Sequence, residues 1–182
     1  MNDLSNNTMS RAGAIARTER YFDSGAFKAD LARRVAIPSE SQNPERAAEL
    51  RYYIEAEMKP ALEARGFACR ILTHPKARAP FLFAERIEDP ARPTVLGYGH
   101  GDVIRGFEGS WKPGIAPWEL VESEGRYWGR GTADNKGQHT INLAALAAVL
   151  EERGELGFNA KWLIEMGEEV GSGGLRELVQ RS

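Results

Sequence analysis

Residues 94–102, with the sequence TVLGYGHGD, constrain this chain more than any other stretch. The stretch begins as an apolar run and ends in small residues that carry one imidazole and one carboxylate. Side chains two positions apart in an extended backbone lie on the same side, so His100 and Asp102 are predicted neighbours. The glycines on either side of His100 leave room for a close approach. The pattern therefore indicates a metal ligand and the carboxylate that orients it, at the end of a strand.

Apolar residues along the chain alternate between helical and strand periodicity, as they do in α/β proteins. The predicted helices cover 11–22, 24–35, 43–66, 136–153 and 173–181, with Ser172 as the cap of the last one. The predicted strands cover 67–73, 81–87, 94–98 and 158–165, and a linker over 36–42 precedes the third helix. This order predicts a three-layer α/β sandwich with a mixed, partly parallel central sheet.

The apolar stripes and strand runs also predict which side chains fill the core. These residues are Leu50, Ile54, Leu82, Val95, Leu96, Leu143, Leu146, Leu150, Leu163 and Ile164. Pro60 lies inside the third helix and is predicted to kink or split it, because proline has no N–H and its ring crowds the preceding turn.

The charges of the chain nearly balance, with 24 basic and 26 acidic residues and a net charge of −2. This balance argues against a nucleic-acid or anionic-membrane partner, since either would favour a basic surface. No apolar run is long enough to span a bilayer. Residues 1–10 are polar and lack the apolar centre of a signal peptide, so we expect a disordered N-terminal tip on a cytoplasmic protein.

Five polar residues follow predicted strands or occupy glycine-rich turns. They are His100, Asp102, Asp134, Glu168 and Glu169. Functional groups of open α/β sheets collect at the carboxyl ends of the strands, so these side chains are predicted to converge on one crevice. Imidazole and oxygen ligands without thiolates suit zinc, manganese or cobalt. The two adjacent glutamates follow an apolar strand, where like charges require an opposing charge that a metal ion supplies.

Other motifs that are rich in glycine or contain a nucleophile fit less well. A dinucleotide fingerprint requires a third glycine where Asp102 stands, and a helix directly after it. The chain contains no Gly-Lys-Ser/Thr phosphate loop, and neither Ser110 nor Ser172 has the G-x-S-x-G frame of a nucleophile elbow. A dinucleotide-dependent oxidoreductase is therefore disfavoured.

Three motifs resemble those in the N-terminal part of a dinuclear zinc metallopeptidase family: GHGDV at 99–103, YWGRGTADNKG at 127–137 and GEEVGS at 167–172. That family includes carnosinase-type dipeptidases, glutamate carboxypeptidase, acetylornithine deacetylase, succinyl-diaminopimelate desuccinylase and aminoacylase. The resemblance implies a zinc-exopeptidase-like fold and two Zn²⁺ ions per active site, with Mn²⁺ or Co²⁺ as alternatives.

The resemblance also implies a role for each residue of the three motifs. His100 and Glu169 would bind metal, and Asp134 would bridge both ions. Asp102 would steady the imidazole ring, and Glu168 would be the general base. A metal-activated water would then cleave the amide bond of a small peptide or an N-acyl amino acid, in a dipeptidase, carboxypeptidase or deacylase reaction.

Two further expectations come from the same resemblance. The peptide bond between Asp134 and Asn135 is expected to be cis. His139 does not match a ligand position of the family, and we interpret it as a residue on the helix surface or behind the ligands.

The later ligands of the family, a carboxylate and a histidine, and its lid domain would follow Ser182. Residues 11–182 are accordingly predicted to be the N-terminal part of an incomplete catalytic domain. The complete protein would form a homodimer through the lid domain. An alternative remains open, in which the chain is a truncated metal-binding fragment with no activity of its own.

Overall fold

The computed structural model describes residues 11–180, so the predicted N-terminal tip, residues 1–10, lies outside them, as do residues 181–182. The helices are α1 (Arg11–Asp23), α2 (Ala26–Val35), α3 (Ala47–Tyr52), α4 (Lys59–Glu63), α5 (Lys136–Arg153) and α6 (Leu175–Val179). The strands are β1 (Ala68–Leu72), β2 (Phe81–Arg86), β3 (Thr94–His100), β4 (Val121–Ser123), β5 (Arg126–Trp128) and β6 (Asn159–Glu165). Within residues 11–180, no helix has both the length and the apolar character needed to cross a membrane.

The central sheet has four strands in the order β1-β2-β6-β3. β3 runs parallel to β6, whereas the other two pairs are antiparallel, which confirms the predicted mixed sheet. β4 and β5 form a separate hairpin. Because β3 and β6 are parallel, His100 lies beside Glu165, and both strands end at the same edge of the sheet. This edge is where functional groups are expected to meet.

The third predicted helix is a continuous helical run of changing type. It begins with a 3₁₀ turn over Pro44–Arg46, and a π-helical segment over Tyr53–Met58 separates α3 from α4. The Asn43 side chain caps the start, accepting a hydrogen bond from the Glu45 N–H at 3.2 Å. Pro60 follows the π segment closely, and its missing N–H accounts for the change of helix type.

Helices α4 and α5 pack against the sheet, and most of the predicted core is buried. Of the predicted core residues, Leu50, Ile54, Leu82, Leu143, Leu163 and Ile164 are buried, and Leu146 and Leu150 pack at the margin. The prediction was wrong for Val95 and Leu96, which are 51% and 64% exposed. Both lie in the first half of β3, which forms the edge of the sheet.

The segment 36–42, predicted to be a linker, forms part of the framework around the end of β3. The Ser39 hydroxyl donates to the Gly101 carbonyl at 2.7 Å, and the Val103 N–H donates to the Ser39 carbonyl at 2.9 Å. Glu40 adds a parallel bridge to Val103. The chain leaving His100 is therefore held on one side by this segment.

Candidate metal centre

His100 is buried at the carboxyl end of β3, with its ring held in one orientation. Its Nδ1 lies 3.1 Å from the Asp102 carbonyl oxygen and 3.4 Å from Asp102 Oδ1. Both atoms are acceptors, so Nδ1 carries the hydrogen and Nε2 is left to face other ligands. Nε2 lies 3.0 Å from Asp134 Oδ1 and 3.9 Å from Glu168 Oε2. The predicted proximity of His100 and Asp102 is confirmed.

Asp102 is fully buried and has a second set of contacts that the sequence did not predict. Its Oδ1 accepts the backbone N–H of Glu168 at 3.2 Å, and its Oδ2 accepts that of Glu169 at 3.1 Å. The same carboxylate thus orients the imidazole and fastens the turn after β6. This arrangement is visible only once the two strand ends are side by side.

The side chains of His100, Glu168 and Glu169 each offer one ligand atom, and these atoms all lie within 4.8 Å of one another. Asp134 contacts His100 but is not a member of this trio, and its side chain is 72% exposed. Asp134 lies two residues before the start of α5, and its peptide bond to Asn135 is cis, as expected. The predicted residues therefore come together at one edge of the sheet, although their individual roles remain predictions.

The electrostatics of the cluster suit a bound cation. Burial by itself lowers the pKa of His100, but hydrogen bonds and charge from Asp102, together with Asp134, outweigh it and raise that pKa to about 9. Burial raises the pKa of the Glu169 carboxyl, and three neighbouring carboxylates raise it further against the opposing charge of His100. The same carboxylates that stabilise the protonated imidazole would stabilise a metal ion, which would take the place of the proton on Nε2.

His139 is buried in the interior, so of its two predicted positions the helix surface was wrong. Its Nδ1 hydrogen-bonds with the Tyr53 hydroxyl at 2.8 Å, and among residues 11–180 its Nε2 has no hydrogen-bond partner. Burial lowers its pKa to about 3, with additional lowering from nearby positive charges. A Cβ atom at Gly99 would lie 2.6 Å from Nε2, so the ring packs directly against β3. Leu143, a predicted core residue, stands four positions after His139 and so lies on the same face of the helix. This spacing is the signal in the sequence for the burial of His139.

Lys136 lies within the second motif, at 127–137, and is fully buried, a placement that its charge did not suggest. Its ammonium group donates to the Ile37 carbonyl at 2.6 Å, and burial lowers its pKa to about 7. Lys136 therefore ties the first turn of α5 to the segment 36–42. Because Asp134 stands two positions before it, this contact helps to place the loop that carries Asp134.

Comparison with known proteins agrees with this geometry. Residues 96–182 match the family described as Peptidase family M20/M25/M40. The Beta-Ala-His dipeptidase of Rattus norvegicus is 38% identical over 103 residues, which are 56% of this chain and 20% of that protein. The succinyl-diaminopimelate desuccinylase of Caulobacter vibrioides is 37% identical over 98 residues, or 53% of this chain and 24% of that protein.

The crystal structure of human carnosine dipeptidase 1 extends the similarity to most of the fold. It superposes with a TM-score of 0.82 at 31% identity, over 91% of this chain and 37% of that one. The matched part of this chain thus spans about a fifth to a quarter of the two curated relatives. These matches agree with the motifs and the ligand cluster, and they show that residues 96–182 are similar to a peptidase M20 family domain.

Proposed function

We propose that the protein is a metal-dependent hydrolase that cleaves an amide or peptide bond. The observation that supports this most strongly is the convergence of His100, Glu168 and Glu169 within 4.8 Å, at the ends of two parallel strands. The relatives named above include a dipeptidase and a desuccinylase. We accordingly propose a small peptide or an N-acyl amino acid as substrate, in a reaction of the dipeptidase, carboxypeptidase or deacylase type.

His100, Asp134 and Glu169 are the residues proposed to hold the metal. Zn²⁺ is the proposed ion, with two ions in the complete enzyme, and Mn²⁺ and Co²⁺ are alternatives with the same ligand preferences. When bound, such ions polarise a carbonyl and make water more acidic. Asp102 accepts the hydrogen bond from His100 Nδ1. This contact keeps the hydrogen on Nδ1 and leaves the Nε2 lone pair for the metal.

Glu168 is the proposed general base. Its side chain is 45% exposed and stands 3.9 Å from His100 Nε2, so a substrate and a water molecule have access to it. It would take a proton from the attacking water and deliver it to the leaving nitrogen. Glu169, in the same turn, is less exposed than Glu168. The two adjacent glutamates can therefore have different roles.

A cytoplasmic location and a homodimer of the complete protein are part of the same proposal. The resemblance of the three motifs to the metallopeptidase family supports the homodimer. Cell fractionation and sedimentation analysis of the complete protein would test them.

The decisive experiment measures metal content and hydrolysis of a panel of dipeptides and N-succinyl or N-acetyl amino acids, using the complete protein loaded with Zn²⁺, Mn²⁺ or Co²⁺. Glu168→Gln is expected to retain the metal and lose about 10²–10⁴-fold in kcat, the usual contribution of a general acid–base group. Glu169→Gln is expected to lose metal first. Glu19→Gln, in the first helix, is the matched control and should behave like the unchanged protein.

The outcomes separate the competing hypotheses. Loss of metal by Glu168→Gln, with full activity per remaining metal, would mean that the roles of the two glutamates are exchanged. Metal uptake without hydrolysis of any substrate in the complete protein would instead favour a non-catalytic metal-binding protein. If the isolated 182 residues bind metal without turnover while the complete protein is active, the truncated-fragment alternative applies to this chain alone.

A further inference from the structure

We propose that Glu165 is a positioning residue that fixes the turn carrying Glu168 and Glu169. The proposal deepens the proposed function and depends on it for its catalytic meaning. Glu165 is the last residue of β6 and pairs in register with His100 of β3. It therefore stands at the junction between the sheet and the candidate metal centre.

The surroundings of Glu165 are unusual for a carboxylate. The residue is 1% exposed, and none of the ion pairs formed among residues 11–180 involves it. Its Oε1 accepts hydrogen bonds from two hydroxyl groups, that of Tyr98 at 2.5 Å and that of Ser172 at 2.8 Å. A buried carboxylate requires such partners, and here both donors come from other segments of the chain.

The two hydroxyl groups connect Glu165 to both sides of the centre. Tyr98 lies on β3, two positions before His100. Ser172 ends the turn, and it was predicted wrongly as a helix cap: α6 begins after Gly174, and the Ser172 hydroxyl is turned back to Glu165. Glu165 thus links the strand that carries the histidine to the far end of the turn that carries the glutamates.

The turn is closed by its own backbone at the same point. The Ser172 N–H donates to the Gly167 carbonyl at 2.8 Å, and the Gly171 N–H donates to the Glu168 carbonyl at 2.9 Å. Ser172 has a φ of 51°, in the left-handed region, which non-glycine residues rarely adopt without supporting contacts. The hydrogen bond to Glu165 is such a contact.

Two buried carboxylates consequently hold the turn from two directions. Asp102 accepts the N–H groups of Glu168 and Glu169 at the start of the turn, and Glu165 accepts the Ser172 hydroxyl at its end. With both ends fixed, the side chains of Glu168 and Glu169 keep their separation from His100. Removing either anchor is expected to loosen the turn without unfolding the sheet.

Hydrogen exchange of the metal-free protein tests this without any use of activity. Glu165→Met removes the acceptor at nearly constant volume, and the Gly171 and Ser172 amides should exchange about tenfold faster, the effect of losing one hydrogen bond. Glu165→Gln keeps an oxygen acceptor and should restore exchange to near the original rate. Ser172→Ala leaves Glu165 in place and should reproduce the faster exchange, so it carries the test if Glu165→Met does not fold.

Tyr21→Phe is the matched control, because the Tyr21 hydroxyl donates to an Asp30 carboxylate at 2.6 Å, far from the turn in sequence. It should leave the exchange of Gly171 and Ser172 unchanged. Equal acceleration by Tyr21→Phe, or unchanged exchange in both Glu165→Met and Ser172→Ala, would overturn the positioning role.

Steady-state kinetics of the metal-loaded complete protein provide a second test of the positioning role. At saturating metal, Glu165→Met should lower kcat about tenfold with KM unchanged, and Glu165→Gln should restore kcat. If the turn loosens as predicted but the protein hydrolyses no substrate, the proposed function is rejected and the positioning role stands. An active protein whose turn is unaffected by these substitutions would reject the positioning role alone.

Discussion

The two halves of β3 show opposite relations between side-chain chemistry and burial. In the first half, the apolar residues Val95 and Leu96 are 51% and 64% exposed. In the second half and just beyond it, Gly99, His100 and Asp102 are buried. Apolar residues are usually the buried ones, and charged residues are almost never fully buried unless paired. The strand thus reverses the usual distribution along its length.

The difference shows that this strand buries polar groups where they have hydrogen-bond partners. Asp102 and His100 are enclosed because their polar atoms have partners, in each other and in the turn after β6. Val95 and Leu96 need no partner to remain in water, and they lie at the edge of the sheet. The buried end is therefore rigidly specified, whereas the exposed end tolerates change. Four substitutions test this contrast, from the largest expected effect to the smallest.

Asp102→Ala should have the largest effect on stability, reducing the free energy of unfolding by about 3–5 kcal/mol. The substitution leaves two backbone N–H groups without their acceptor. It also removes the carboxylate oxygen 3.4 Å from His100 Nδ1, which keeps only the backbone carbonyl of residue 102 as acceptor. Urea unfolding of the metal-free chain, followed by tryptophan fluorescence, measures the loss. Asp23→Ala, at the exposed end of α1, is the control, and a comparable loss in both variants would contradict the contrast.

Gly99→Ala should reduce the free energy of unfolding by about 1–3 kcal/mol, because the interior has no space for the added methyl group. The new Cβ would lie 2.6 Å from His139 Nε2 and 2.8 Å from Asn135 Oδ1. Gly109→Ala meets nothing within 4 Å and serves as the control. Equal thermal midpoints for the two variants would show that β3 has room to move at this point.

His139 should make stability depend on pH. Its pKa is about 3 in the folded chain and about 6.5 when unfolded, so between these values the unfolded chain binds the extra proton. The stabilisation is complete above pH 6.5 and is lost as the pH falls toward 3, by no more than about 1.4 kcal/mol per pH unit. In His139→Gln, the free energy of unfolding should fall less steeply between pH 6 and 4.5, and identical slopes would argue against a buried neutral ring.

Leu96→Ala should have the smallest effect, within about 0.5 kcal/mol, because the side chain is already in water. The same substitution at Leu82, fully buried on β2, should cost about 2–5 kcal/mol. Chemical denaturation of the two variants side by side tests the contrast directly. A large loss for Leu96→Ala would show that the first half of β3 is covered in solution.

The sequence predicted the convergence of the site well, because motif order and strand ends carry that information. His100, Glu168 and Glu169 follow strands whose parallel pairing brings them to one edge. The boundaries of α5, Lys136–Arg153, were also predicted, since Gly154 ends the helix in the left-handed conformation. These features depend on local residue chemistry and on the general behaviour of α/β sheets.

The remaining features depend on contacts between distant segments, and local patterns do not encode them. An apolar run such as that around Leu96 reads as a buried strand whether it lies at the centre or at the edge of a sheet. Ser172 precedes a helix and so resembles a cap, but its hydroxyl is used by Glu165. The second use of Asp102, as acceptor for the turn, likewise requires that β3 and β6 already be paired.

The parallel pairing of β3 with β6 also decides when the candidate metal centre forms during folding. Asp102 and the Glu169 N–H that it binds are 67 positions apart in sequence, so their contact closes a long loop. The antiparallel pair of β1 and β2 joins near neighbours and should form earlier. The centre is therefore expected to form late in folding. A cation that binds there would slow unfolding while leaving the rate of early folding steps unchanged.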